Sequence, residues 1–129
     1  MIKPANINNL IIRSPNWVGD VVMATPAFRC IRENFPNVKI TIALKSYVQK
    51  LIDGAPWFDK VLILDSVDQQ SKWLHSVSLI KQLRSERYDL GFLFPNSFSS
   101  ALVFWLGGVK QRVGYKRDAR SWLLTDGVD

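Results

Sequence analysis

The residues best suited to chemistry follow the first apolar run of the chain, where Gly19 and Asp20 open a predicted helix. Ligands of parallel sheets bind outside the carboxyl ends of the strands, so this turn is the first candidate site. We expect Asn16 and Gly19 to shape a tight turn into the helix. A carboxylate there should be ionised at neutral pH and could accept a proton from a sugar hydroxyl. From spacing alone, the role of a first-turn acid that only stabilises the helix is favoured, and the role of a general base stays open.

A second candidate group is basic and lies near the end of the chain. It comprises Lys110, Arg112, Lys116, Arg117 and Arg120, which we expect near the carboxyl ends of the later strands. Arginine forks and lysine charges suit phosphate and carboxylate groups, although a solvated basic loop has the same composition. Ser97 and Ser99 follow another apolar run, where their hydroxyls could bond sugar hydroxyls or cap a helix.

Composition narrows the class of function. The 129 residues carry 17 Lys and Arg against 11 Asp and Glu, and the net charge of +6 favours an anionic partner. One cysteine, Cys30, and one histidine, His75, cannot form an internal disulfide or a Cys/His zinc site, so we expect no metal and no cofactor. No apolar run approaches the roughly 20 residues that cross a bilayer and no secretory signal is apparent, which predicts a cytoplasmic protein.

The elements that must position these residues alternate along the chain. Short apolar runs rich in branched residues predict strands over 10–12, 40–44, 61–64, 90–94 and 110–113. Apolar spacing predicts helices over 21–35, 47–53, 73–85 and 99–106. In the first helix, Pro26 predicts a kink or a restart capped by Thr25, and Cys30 is expected to be core or half-buried. In the last helix, we expect Trp105 on the buried face, with a membrane contact as the alternative. This alternation predicts an α/β fold with a parallel sheet covered by helices on both faces.

Three stretches carry a resemblance to a known family. Asn16 to Val22 reads NWVGDVV and precedes TPA, Pro95 to Ala101 reads PNSFSSA, and Gly114 to Arg120 reads GYKRDAR. Together they resemble the ADP-heptose:lipopolysaccharide heptosyltransferases, glycosyltransferase family 9. The last two resemble in particular the members that extend the first heptose of the inner core. The resemblance covers essentially the entire chain.

The resemblance implies a GT-B architecture in which residues 1–129 are the amino-terminal, Rossmann-like, acceptor-binding domain and the carboxyl-terminal donor-binding domain is absent. It implies inverting transfer of L-glycero-D-manno-heptose from ADP-heptose to the first heptose of the lipopolysaccharide inner core. Asp20 matches the family's proposed catalytic base. With the resemblance, we expect acceptor binding by Lys116, Arg117 and Arg120, and which of them makes contact stays open. Ser97 and Ser99 are the candidates for bonding the sugar hydroxyls of the acceptor, with helix capping as their other role. Family members are well over twice as long, so we expect a fragment that folds but does not turn over.

The implied partners are ADP-heptose, held mainly by the missing domain, and the lipid-linked inner-core acceptor. That acceptor would bring the protein into peripheral contact with the cytoplasmic face of the inner membrane. The alternative from another class is a noncatalytic anion-binding or nucleic-acid-binding module, which the charge favours. The chain has neither an RNA-binding aromatic motif nor a recognisable helix-turn-helix, so we expect no nucleic acid. A scaffold that binds acceptor without turnover also remains open.

Overall fold

Six strands form one parallel sheet in a computed structural model that describes residues 7–64, 72–95, 98–115, 124 and 126–128. They are β1 (Asn9–Arg13), β2 (Lys39–Leu44), β3 (Lys60–Ile63), β4 (Leu90–Leu93), β5 (Gln111–Tyr115) and β6 (Asp126–Val128). Their order across the sheet is β3-β2-β1-β4-β5-β6, and every neighbouring pair is parallel. This is the Rossmann order, in which the crevice at the carboxyl ends of β1 and β4 is the usual ligand site.

The central strands are apolar throughout because both of their faces are covered. In β1, Leu10 and Ile12 are fully buried in one core and Ile11 is fully buried in the other. The same alternation places Ile42 and Ala43 of β2 in opposite cores. Strands buried on both sides read as continuous apolar runs rather than as alternating patterns, which is why the sequence marks them clearly.

Helices cover both faces of the sheet, as predicted. They are α1 (Val18–Asn34), α2 (Gln49–Ile52), which follows a 3-10 turn over Ser46–Val48, α3 (Lys72–Glu86) and α4 (Phe98–Leu106). Phe28 of α1 and Ile52 of α2 pack into the core on one face. Leu83 of α3 and Phe104 of α4 pack into the core on the other. The α/β class with two helical layers is therefore confirmed.

Pro26 lies within α1 and does not divide it, so the predicted restart with Thr25 as cap is wrong. A proline lacks the amide proton that would bond the carbonyl of Val22, four residues earlier. The Thr25 hydroxyl donates to that same carbonyl oxygen at 2.8 Å. The orphaned acceptor is thereby satisfied within the helix, and α1 remains continuous from Val18 to Asn34.

Two side chains lie elsewhere than the sequence indicated. Cys30 is exposed, because α1 buries the stripe that contains Phe28 and Ile31 and Cys30 points away from it. Trp105 is 46% exposed, since its neighbour Phe104 is the residue of α4 that turns into the core.

β6 was not predicted from the sequence. None of the helices within the described ranges is long and apolar enough to span a membrane.

Candidate functional site

The candidate site lies where β1 ends and α1 begins, at the carboxyl edge of the sheet. Trp17 is the N-cap residue of α1 and provides no side-chain cap. The first helical hydrogen bond runs from the Val21 amide to the Trp17 carbonyl at 2.9 Å. The amides of Val18, Gly19 and Asp20 therefore have no acceptor within the helix, and such a helix start favours negative charge.

Asp20 is the third residue of α1 and is exposed beside these free amides. Within the described ranges, no hydrogen bond or ion pair engages its carboxylate. An aspartate that only stabilised the helix through a capping box would bond back to the amide of the N-cap residue, Trp17. That bond is not formed among the described residues, so the carboxylate is open to a ligand that approaches the edge of the sheet.

Gly19 differs from expectation, because it does not make a tight turn. It is the second residue of α1, its φ angle is not in the left-handed region, and a Cβ atom built on it would find nothing within 4 Å. The fold therefore has no need of glycine at this position. The open space lies directly beside Asp20, where a glycine lets another molecule approach the backbone closely.

Asn16 shapes the turn before α1, and Arg13 holds its side chain. The guanidinium of Arg13 donates from Nη2 to Asn16 Oδ1 at 2.9 Å and from Nη1 to the Ser14 carbonyl at 2.7 Å. Burial lowers the pKa of Arg13 to about 10, while the nearby Tyr47 hydroxyl acts in the opposite direction. Arg13 is therefore still a cation at neutral pH, and both of these hydrogen bonds end on the turn.

Tyr47 and the neighbouring strands hold the turn from its other sides. The Tyr47 hydroxyl, in the 3-10 turn after β2, donates to the main-chain carbonyl of Asn16. The Ser14 amide donates to the Ala43 carbonyl at 2.9 Å, and the Phe94 amide donates to the Arg13 carbonyl at 3.1 Å. Sequence analysis singled out neither Arg13 nor Tyr47 for this role. The available signal was their position, since each follows the end of a predicted parallel strand and such ends share one edge.

The predicted basic group is divided by the sheet. Lys110 precedes β5 and Arg112 is its second residue, so both lie towards the amino edge, opposite Asp20. Lys110 pairs there with Asp89 at 3.6 Å, and Arg112 donates to the Val109 carbonyl at 2.7 Å. Their predicted placement near the carboxyl ends is wrong because the strand itself separates them from the residues that follow β5.

The other predicted acceptor residues cannot be placed. Ser97, Lys116, Arg117 and Arg120 lie outside the described residues, and Ser99 is the second residue of α4 with no described side chain. In the described part of the chain, no group of three or more His, Cys, Asp or Glu residues could hold a metal ion.

An apolar groove of about 530 Å³ runs along α1 on the same side as Asp20. Its lining residues are Ala27, Cys30, Ile31, Asn34, Phe35, Phe92 and Phe94. Ala27 follows Asp20 by seven residues, about two helical turns, which places the two on one side of the helix. The groove can contact apolar groups, whereas the free amides and the carboxylate occupy only the end of α1.

Known proteins resemble this chain along most of its length. The family description "Glycosyltransferase family 9 (heptosyltransferase)" matches residues 76–128. The lipopolysaccharide heptosyltransferase 2 of Escherichia coli (strain K12) is 28% identical over 123 residues, which are 91% of this chain and 34% of that protein. The lipooligosaccharide heptosyltransferase 2 of Haemophilus ducreyi is 27% identical over 91% of this chain and 33% of its own length. The chain thus spans about a third of the length of these curated relatives.

Solved structures agree with these relatives. The structure of E. coli ADP-heptose LPS heptosyltransferase II superposes with a TM-score of 0.80 at 27% identity, covering 94% of this chain and 35% of that one. A family 9 glycosyl transferase from Veillonella parvula superposes with a TM-score of 0.83 at 14% identity, over 95% of this chain and 36% of its own, and supports the fold alone. The predicted Rossmann-like unit of a GT-B glycosyltransferase is confirmed at the level of the fold. The matching sequences and the shared fold make this chain similar to the heptosyltransferases of glycosyltransferase family 9.

Proposed function

We propose that this chain is the acceptor-binding, Rossmann-like domain of an inverting heptosyltransferase and that Asp20 is its general base. The observation that carries the proposal is the exposed carboxylate in the uncapped first turn of α1, at the carboxyl end of the central strand. The open space at Gly19 supports it, because a substrate can reach the carboxylate there without displacing protein atoms. The heptosyltransferase 2 relatives support the choice of sugar.

The proposed reaction is a single displacement. Asp20 takes the proton from the attacking hydroxyl of the acceptor heptose while that oxygen bonds to the anomeric carbon of ADP-heptose. The bond between the anomeric carbon and the phosphate oxygen breaks, and ADP leaves with the electron pair. One displacement from the opposite side inverts the anomeric configuration. No covalent enzyme intermediate is needed, so one general base on the acceptor side is sufficient.

The proposed acceptor is the first heptose of the lipid-linked lipopolysaccharide inner core, an anionic molecule that suits the net charge of +6. Ser97 and Ser99 follow β4, and Lys116, Arg117 and Arg120 follow β5. Strands of a parallel sheet end at a common edge, so this chain order favours the edge that carries Asp20. We propose these five residues as acceptor contacts, with ADP-heptose held mainly by a further, donor-binding domain. A lipid-linked acceptor would place the enzyme at the cytoplasmic face of the inner membrane.

The test is the variant Asp20→Asn in the complete polypeptide, donor domain included. Loss of a general base should lower kcat by about 10²- to 10⁴-fold. The thermal unfolding midpoint should fall by no more than about 4 °C, because an exposed acid in the first turn contributes about 0.3–1 kcal/mol. The matched control is Asp53→Asn, which makes the same chemical change at another exposed aspartate and should retain turnover. Near-normal turnover in Asp20→Asn would contradict the assignment. The 129-residue chain alone should show no transfer, since it lacks the donor side of the cleft.

A further inference from the structure

The start of α1 lacks the support that helix starts usually have. Ser, Thr, Asp or Asn at the N-cap accepts an amide hydrogen bond from the first turn, and Trp17 cannot do so. Uncapped first turns fray readily, yet Asp20 lies in this turn. A general base must be held within a fraction of an ångström of its productive position. Something other than a cap must therefore fix the chain before Val18.

Two donors from different parts of the fold meet on Asn16, two residues before the first residue of α1. Arg13 bonds the Asn16 side-chain oxygen at 2.9 Å, and Tyr47 bonds the Asn16 main-chain carbonyl. Arg13 is the last residue of β1, and Tyr47 belongs to the turn after β2. Asn16 is thus held at both its side chain and its main chain, by one group on β1 and by another in the turn after β2, the strand beside β1.

The charged guanidinium of Arg13 bonds only to the turn before α1 among the described residues. No carboxylate pairs with its guanidinium among the described residues, although a part-buried cation is usually paired. Its hydrogen bonds instead end on the Ser14 carbonyl and on Asn16. A planar guanidinium can reach both acceptors at once, which the single ammonium of a lysine cannot reproduce.

We infer that Arg13 and Tyr47 are positioning residues that hold the Asp20 carboxylate in place through Asn16, an inference that rests on the proposed role of Asp20. Neither side chain needs to touch substrate. Removing either donor should loosen the turn and displace the carboxylate from the attacking hydroxyl. The loss should fall on kcat rather than on the KM for ADP-heptose, which the other domain holds in this proposal. A misplacement of about 1 Å at a catalytic group can cost up to 10²-fold in rate.

The experiment is a double-mutant cycle in the complete polypeptide. Tyr47→Phe removes only the hydroxyl, and Arg13→Lys retains the charge but not the fork; each is made alone and together with Asp20→Asn. We expect kcat to fall by about 10-fold in Tyr47→Phe and by about 10- to 100-fold in Arg13→Lys, with KM for ADP-heptose unchanged. In the Asp20→Asn background, neither change should lower kcat further, because there is no base left to position.

The matched controls remove equivalent hydrogen bonds at the other end of α1 and on α3. The guanidinium of Arg32 donates to the Val38 and Phe35 carbonyls, and the hydroxyl of Ser85 donates to the Gln82 carbonyl. Arg32→Lys and Ser85→Ala should therefore keep kcat, whatever they do to stability. A general structural role for such bonds would lower kcat in the controls as well and would overturn the inference.

The remaining outcomes separate this inference from the proposed function. If Tyr47→Phe and Arg13→Lys keep kcat while Asp20→Asn loses it, the positioning role is refuted and Asp20 stands. If the two changes lower kcat as much in the Asp20→Asn background as in the wild type, they act independently of Asp20 and the inference is again refuted. Near-normal turnover in Asp20→Asn itself refutes the base and this inference with it. Should Arg13→Lys fail to fold, Tyr47→Phe, which alters an exposed hydroxyl, decides alone.

Discussion

Replacing Gly19 by alanine should change the free energy of unfolding and the rate of transfer in opposite directions, and so tests whether this glycine serves the fold or the approach of a ligand. Glycine within a helix is about 0.5–1 kcal/mol less favourable than alanine. The new Cβ atom would meet nothing within 4 Å, and Gly19 does not have a positive φ angle, so no strain offsets that gain. Because Gly19 is only the second residue of α1, we expect the lower value, about 0.5 kcal/mol, which raises the thermal unfolding midpoint by about 2 °C.

Gly91→Ala is the matched comparison, since its Cβ atom would lie 2.8 Å from two ring carbons of Phe104 and 2.9 Å from Val109 Cγ1. Ordinary contacts between such atoms begin near 3.5 Å. Both neighbours are buried and have little freedom to move. We therefore expect Gly91→Ala to lower the free energy of unfolding by about 1–3 kcal/mol.

The assay is thermal unfolding by circular dichroism for both variants, followed by the rate of heptose transfer in the complete polypeptide. Gly19→Ala should be as stable as the wild type or more so, yet should transfer heptose more slowly, because its methyl group occupies the space beside Asp20. A fall of more than about 1 kcal/mol in the stability of Gly19→Ala would refute the structural reasoning. Unchanged transfer would refute the claim that a substrate approaches the backbone there.

Two further changes test stability away from the site. Arg87 follows α3 with a φ angle of +56°, and its amide donates to the Leu83 carbonyl at 3.2 Å. Arg87→Gly should therefore raise the free energy of unfolding by about 1 kcal/mol, whereas Arg84→Gly, within the helix, should lower it by about 1 kcal/mol. Urea denaturation measures both changes, and two changes of the same sign would contradict this explanation. The hydrogen bond from Lys60 lowers the pKa of Glu86, so this pair contributes stability above the ordinary glutamate pKa and loses it as the pH falls through the lower, folded value. In Glu86→Gln, the free energy of unfolding measured between pH 2 and 7 should therefore fall less steeply towards acid pH than in the wild type. The difference should be less than about 1 kcal/mol, because the pair is partly exposed. An unchanged pH dependence would show that the pair contributes nothing.

Local pattern was sufficient for most of the elements. The run over 40–44 predicted β2, which the structure extends only to Lys39–Leu44, and the helix predicted over 73–85 is α3 at Lys72–Glu86. Burial on both faces makes such strands continuously apolar, and a helix with one buried side repeats every three to four residues. These periods belong to the residues themselves, so they can be read without knowing what packs against them. The motif around Asp20 was likewise visible in the sequence, together with the family that it resembles.

Tertiary structure decided what depends on which strand ends meet. β6 has only three residues, among them an aspartate and a glycine, and it exists as a strand through its pairing with β5. Lys110 precedes β5, which places it at the edge opposite Asp20, although both belonged to candidate groups expected at the same edge. Arg13 and Tyr47 meet on Asn16 because β2 lies beside β1, an order that no local pattern encodes. Periodicity follows from each residue's own burial, whereas the identity of a contact partner follows from strand order. The sequence therefore determined the elements and the candidate base, and only the assembled sheet decided which groups surround that base.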